Sequence, residues 1–162
     1  VSYSKRVFGT IEKRFWPKVE RRGKDECWGW LAYKHPNGYG QMGGLGYAHR
    51  ISFTLHNGPI PKGKVVDHIC HNRGCVNPGH LRLATHFENA QNKTHGRVRS
   101  NGGVLKGAFY DSTRLKWRAA ITHDGHQKYL GRFDTEQEAH EAYCAAAREL
   151  FGGFFNDGSK RG

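Results

Sequence analysis

The chain has 162 residues, room for one ordinary domain or two compact ones. Lys and Arg number 26 against 14 Asp and Glu, and a formal charge of +12 with a pI near 9.8 points to a polyanion, DNA or RNA ahead of a membrane surface. No run of about 18 apolar residues offers a membrane span and the N-terminus lacks a signal-peptide stretch, so an intracellular, cytoplasmic setting without a membrane partner is expected.

Residues 1–24 are mixed and basic. From Cys27 to Tyr47 the sequence is aromatic and glycine-rich (CWGW, NGYGQ), the composition of short strands and turns in a hairpin region. Ile51 and Leu55 then follow helical spacing, which predicts a short helix from about Ala48 to Asn57, stopped by Gly58-Pro59. Lys64 to Asn72, with Val65, Val66 and Ile69, reads as a strand whose partner is Leu81 to Ala84. Thr85 to Glu88 is a capping-box pattern, so a helix is expected from His86. The order is strand, loop, strand, helix, with cysteines in the loop.

Residues 91–106 carry Lys93, Arg97, Arg99 and Lys106 with no acid, and an Asn-Gly-Gly, which reads as a basic linker centred on 93–103 between two modules. The second module has strand candidates at Lys106 to Tyr110, Trp117 to Thr122 and Gln127 to Phe133, joined through Asp111-Ser112-Thr113 and Asp124-Gly125 turns. A helix follows, opened by a capping box from Thr135 to Glu138. Its expected apolar face is Ala139, Ala142, Tyr143, Ala146, Ala147 and Leu150. Lys106, Arg114, Lys116, Arg118, Lys128 and Arg132 outnumber Asp111 and Asp124 over the strands, whereas the helix is acidic; the sheet is therefore the side expected to face the polyanion.

The chemistry concentrates in DHICHNRGCVNPGHLRLATHFENAQNK, residues 67–93. Cys70-x4-Cys75-x4-His80 puts two thiolates and an imidazole in one loop, and a tetrahedral Zn²⁺ site needs a fourth ligand. Cys27, delivered by the hairpin region, is the candidate, with His71 and His86 as competitors; such a site would staple a domain too small to hold itself. Cys144 lies near the apolar face of the last helix and reads as packing.

His68, on the first strand, is suited to take a proton from water near neutral pH, and Asn89, one turn into the following helix, offers a hard oxygen to a divalent cation. Asp67 offers a carboxylate, but adjacent strand residues point to opposite faces, so Asp67 and His68 serve one site only where the strand ends, bulges or twists. Asn77 is expected to hydrogen-bond the loop backbone and steady the strand bearing His68.

The stretch from about Phe15 to Asn92 (FWPKV, CWGW, NGYGQ, AHRISFTLHNGPIPKGKVVDH, CHNRGCVNPGHL, TxxEN) resembles phage-type HNH endonucleases, and its Cys-x4-Cys-x4-His core is similar to the His-Cys box homing endonucleases. That resemblance implies a ββα-metal nuclease site: His68 the general base, Asn89 a ligand of Mg²⁺ or a similar cation, Asp67 a second ligand, and structural zinc at Cys27, Cys70, Cys75 and His80. His49-Arg50 looks like the family's His-Arg pair, with Arg50 available to a phosphate or to packing. Asn89 stands where many members carry a third His. Residues 106–152 resemble the Apetala-type DNA-binding domain, which implies a three-stranded sheet in the major groove with a helix behind. By position, Tyr110, Arg114, Lys116, Arg118, Lys128 and Arg132 are the DNA contacts, joined by Arg97 and Arg99 of the linker.

The expected architecture is α+β: a zinc-stapled nuclease domain over 1–92, the linker 93–103, a three-stranded antiparallel sheet on one helix over 104–157, and a tail at 158–162. The expected activity is homing-type hydrolysis of double-stranded DNA, in a phage-infected or bacterial host. One site per chain makes a nick the product of a monomer, and a double-strand break the product of a homodimer or of sequential cuts. The rivals are a DNA-binding regulator with a silent HNH fold and a restriction enzyme of the same chemistry.

Overall fold

The computed structural model describes residues 11–93 and 104–158; Arg97, Arg99 and most of the expected linker lie outside them. The chain divides into two compact units between His86 and Phe87. That division falls before the boundary expected after residue 92.

The first unit opens with a helical segment over residues 11–15 (α1) and a 3-10 turn, Trp16–Lys18. Two-residue ladders follow: β1 (Val19–Glu20) antiparallel to β2 (Gly29–Trp30), and β3 (Gln41–Met42) antiparallel to β4 (Gly46–Tyr47). Ladders this short do not stand alone. They are held by a core of Phe15, Val19, Trp30, Met42, Ala48 and Val76, in which the Phe15 and Trp30 rings lie 5.1 Å apart. Helix α2 spans Ala48–Asn57, as its spacing predicts, and ends where Gly58 turns at φ +87°.

Strand β5 is Val65–His68, shorter than the Lys64 to Asn72 expected, and pairs antiparallel with β6 (Leu81–Ala84). Pairing stops at His68 because the loop has to fold back to bring its cysteines together. His71 turns at φ +57°, and Ile69, expected in the strand, is left 44 % exposed. A second small core, Phe53, Val66 and Leu81, packs α2 against this hairpin. Helix α3 is His86–Gln91, beginning where the capping-box pattern puts it, and from Phe87 on it belongs to the second unit.

In the second unit β7 (Ala108–Asp111), β8 (Lys116–His123) and β9 (His126–Phe133) form an antiparallel sheet in that order, with a bulge between Ala119 and Ala120. Helix α4 (Glu136–Phe151) starts with both capping-box bonds: Glu138 N–H to Thr135 Oγ1 at 3.2 Å and Thr135 N–H to Glu138 Oε2 at 3.1 Å. Its buried stripe runs in steps of four through Ala139, Tyr143, Ala147 and Phe151, with Cys144 beside it as expected. Leu150, assigned to that face from sequence, is 41 % exposed because Phe151 takes its place on the stripe.

Lys106 also departs from expectation. It is buried, not a cation of the sheet surface, with its Nζ donating to the carbonyls of Gln91 (2.7 Å) and Asn156 (2.9 Å). Gly107, next to it, adopts φ +82°, and a Cβ there would sit 2.0 Å from the Tyr143 ring. Gly107→Ala is therefore expected to destabilise the second unit by about 3 kcal/mol, through overpacking and a strained backbone. Urea melts of the two proteins check this; coincident curves would mean that Tyr143 yields without cost. Among the described residues no helix is long and apolar enough to cross a membrane.

Candidate metal centre and active site

The loop between β5 and β6 is organised by its backbone. The Val76 N–H donates to the Trp28 carbonyl at 2.9 Å, and the Cys75 backbone bridges Gly29, so the loop continues the β1–β2 ladder and draws Cys27 beside it. Buried Ser52 on α2 donates to the Val76 carbonyl at 2.6 Å from the other side. Asn77 caps the 3-10 turn Pro78–His80 through Gly79 N–H, and its amide donates to the Lys24 and Glu26 carbonyls at 2.9 and 2.8 Å. The asparagine thus ties the segment before Cys27 to the turn that presents His80.

As a result Cys27, Cys70, Cys75 and His80 converge, their ligand atoms all within 4.8 Å of one another. His80 Nδ1 lies 3.7 Å from the Cys27 sulfur and 3.6 Å from that of Cys75. A tetrahedral site with Zn–S near 2.3 Å and Zn–N near 2.0 Å has S···N edges of about 3.6 Å, so the donor set and its spacing fit a tetrahedral cation and could bind zinc. Of the candidates for fourth ligand, Cys27 is the one brought into the cluster; the described cluster contains neither His71 nor His86. Hydrogen bonding from the Cys70 thiol, the Asn77 N–H and His80 favours the Cys75 thiolate, pushing its pKa down to about 5, while burial pushes the Cys27 thiol up.

His68 sits at the end of β5, its side chain buried. Its Nε2 is 3.0 Å from the Cys75 carbonyl oxygen. A carbonyl only accepts, so Nε2 carries the proton and, in the neutral ring, Nδ1 holds the basic lone pair. Burial, the main influence, lowers the pKa of His68 below its ordinary value and keeps the ring neutral near pH 7. The ring is packed against His49 at 4.7 Å and Tyr39 at 5.9 Å, and Tyr47 stacks on His49 at 5.8 Å. His49 is buried, and its Nδ1 has no hydrogen-bond partner among the described residues. Nothing in sequence periodicity announced that aromatic cage. The adjacent Tyr39, in the glycine-rich NGYGQ turn, was a trace of it.

The neighbouring Asp67, equally buried, is directed elsewhere: its Oδ2 takes the Arg82 Nε at 2.9 Å from the residue opposite it in the β5–β6 register. Arg82 was not singled out from sequence. Arg50, on α2, is half-buried and lines a cleft of about 310 Å³ with Leu45, Ile51 and Ile60. Asn89 lies on α3, half-buried.

On the sheet of the second unit, the pleat sorts the basic residues. Arg118 is opposite both Phe109 and Arg132, and its guanidinium lies 5.7 Å over the Phe109 ring; Arg132 lies 5.6 Å over Tyr129 and 3.7 Å from Asp111 Oδ2. Lys116 pairs with Asp134, and Arg114 and Lys128 are exposed. Tyr110 is opposite Trp117, with the rings 5.2 Å apart, on the same side as Ala108 and Ala119 of the core facing α4. Phe109 occupies the outer position next to the arginines.

The HNH endonuclease family model matches residues 46–91. A protein of Acanthamoeba polyphaga mimivirus, named as an uncharacterized HNH endonuclease, is 31 % identical over 93 % of this chain and 74 % of its own length. Protein 7.7 of Escherichia phage T7 is 38 % identical over 59 % of this chain and 76 % of its own length. Protein 3.8 of the same phage is 38 % identical over 60 % and 78 %. No solved structure matches.

Proposed function

Since the chain belongs to the HNH endonuclease family, we propose that it is a homing-type endonuclease that hydrolyses phosphodiester bonds of double-stranded DNA with a divalent cation. The observation that carries this reading is the bond from His68 Nε2 to the Cys75 carbonyl, which puts the ring proton on Nε2 and the basic lone pair on Nδ1. His68 is the general base. Asn89 and Asp67 supply hard oxygens suited to Mg²⁺ or a similar ion. When bound there, that ion would offset charge on the scissile phosphate and the departing 3′ oxygen. Arg50 would contact a neighbouring phosphate.

Zinc is the proposed occupant of Cys27, Cys70, Cys75 and His80, on the tetrahedral fit of that cluster. The Apetala-like resemblance of residues 106–152, together with Arg118 and Arg132 on the outer side of the sheet, supports duplex DNA as its partner. Arg114, Lys116 and Lys128 would contact phosphates there, and Arg97 and Arg99 would extend that track. Tyr110 would reach DNA from the sheet edge. A monomer would nick; a homodimer would break both strands.

Supercoiled DNA incubated with Mg²⁺ or with EDTA tests the reading. Wild type is expected to cut only with the metal, and His68→Ala to cut about 10²–10⁴-fold more slowly. Equal cutting by both proteins would remove His68 as base. No cutting by wild type on any DNA would favour a DNA-binding regulator.

A further inference from the structure

Between Cys27 and His86 the sequence holds one acid, Asp67, against six Lys and Arg, and Arg82 already takes the Asp67 carboxylate at 2.9 Å. The surface that this stretch builds is therefore cationic. Two of its cations meet where the turn at 34–39 touches the loop between β5 and β6. Arg73 is exposed, and its head group is held from two sides: Nη1 donates to the Asn37 carbonyl at 3.1 Å, and the guanidinium carbon lies 5.5 Å over the Tyr39 ring. Tyr39 in turn packs on His68, ring to ring at 5.9 Å. Lys34, also exposed, runs along the same loop, its Cε 3.9 Å from where a Cβ on Gly74 would stand. The mount beneath both cations is hydrogen-bonded. The Gly74 carbonyl accepts from the Trp30 N–H at 3.2 Å, and the Asn72 and Asn37 side chains each accept from the amide two residues on, at 3.0 and 3.3 Å. Among the described residues no acid pairs with either cation, so most of the Arg73 fork is open to an anion from outside.

We propose that Arg73, with Lys34 beside it, binds backbone phosphates of the DNA and so docks a strand against the first unit next to His68. The inference rests on the nuclease reading above and gives that unit a substrate contact of its own. Because the Tyr39 ring touches both Arg73 and His68, the phosphate that Arg73 takes is set in a fixed place relative to the base.

Full-length protein and a random-sequence duplex, in buffer without Mg²⁺, test the proposal, since a phosphate contact releases counterions whatever the bases. The slope of log affinity against log salt is expected to shrink by about 0.9 in Arg73→Gln and by as much in Lys34→Gln. Affinity at low salt is expected to fall about tenfold in Arg73→Gln, which loses a charge-assisted bond. Arg73→Lys keeps the charge and is expected to keep the slope. Arg22→Gln removes the same charge from an exposed site of the same unit, where Glu20 already holds it at 3.0 Å, and is expected to keep the wild-type slope. With Mg²⁺ present, the DNA concentration for half-maximal nicking by Arg73→Gln is expected to rise about tenfold, with saturating DNA restoring most of the rate. A folded Arg73→Gln with the wild-type slope would overturn the proposal, as would an equal drop in Arg22→Gln, which would mean diffuse charge. Where Arg73→Gln does not fold, Lys34→Gln decides alone. A wild type that cuts no DNA ends the nuclease reading, and the slopes still report whether Arg73 meets a phosphate.

Discussion

If the Cys27, Cys70, Cys75 and His80 cluster holds the zinc proposed for it, Cys75→Ser is expected to abolish metal binding and to unfold the first unit. That unit rests on ladders of two residues and small cores, and the Cys27, Cys70, Cys75 and His80 cluster ties its hairpin to its loop. Structural zinc contributes on the order of 10 kcal/mol in small finger domains, comparable with the whole of a domain's stability of about 5–15 kcal/mol. Losing it should abolish the cooperative thermal transition of this unit. Metal analysis and thermal melts read the two effects, and a chelator added to wild type should mimic them. Cys144→Ser supplies the contrast: its thiol belongs to the core of the second unit, so metal content should not change. A metal-free Cys75→Ser that melts like wild type would remove the staple.

Acid is expected to weaken the protein through His49 well before carboxylates protonate. Burial, and then the neighbouring His68 and Arg50, lower the pKa of His49 to about 3. In the unfolded chain it returns to about 6.5 and takes a proton that the folded protein refuses. The resulting stability is fully present above pH 6.5 and is lost as pH falls toward 3. By pH 5 the loss through this group is on the order of 2 kcal/mol, at 1.36 kcal/mol for each pH unit below 6.5. His49→Phe keeps an aromatic ring between Tyr39 and His68 and removes the titration. Its urea stability should therefore fall less steeply from pH 7 to pH 5. Parallel curves for the two proteins would mean that His49 does not exchange protons on unfolding.

Much of this was legible because some signals are local. Cys70, Cys75 and His80 are set by spacing within one loop, and α2, β6, the start of α3 and the capping box of α4 follow from periodicity and caps. Cys27 was a reach across the sequence that the Val76 to Trp28 bond makes physical. What was not legible depends on long-range partners. Pleat alternation warned that Asp67 and His68 diverge, but only the β5–β6 register reveals Arg82 opposite Asp67. The side of the sheet occupied by Tyr110 depends on its pairing with Trp117, and the burial of Lys106 on carbonyls at Gln91 and Asn156. Composition counted Lys106 as one more surface cation because a lysine without a carboxylate beside it in sequence gives no sign of burial.

The partner of His68 is a main-chain oxygen, and this limits what genetics can see. Every amino acid placed at position 75 still has that oxygen. A survey of substitutions there would score the sulfur and miss the carbonyl, so residue 75 would be catalogued as a ligand whatever it does for the imidazole. Replacing the Cys75–Val76 amide by an ester would be more informative. The ester weakens the oxygen as an acceptor and keeps the thiol, but it also removes the Val76 N–H that bonds the Trp28 carbonyl, so the proton affinity of His68 and the metal content have to be read in the same molecule.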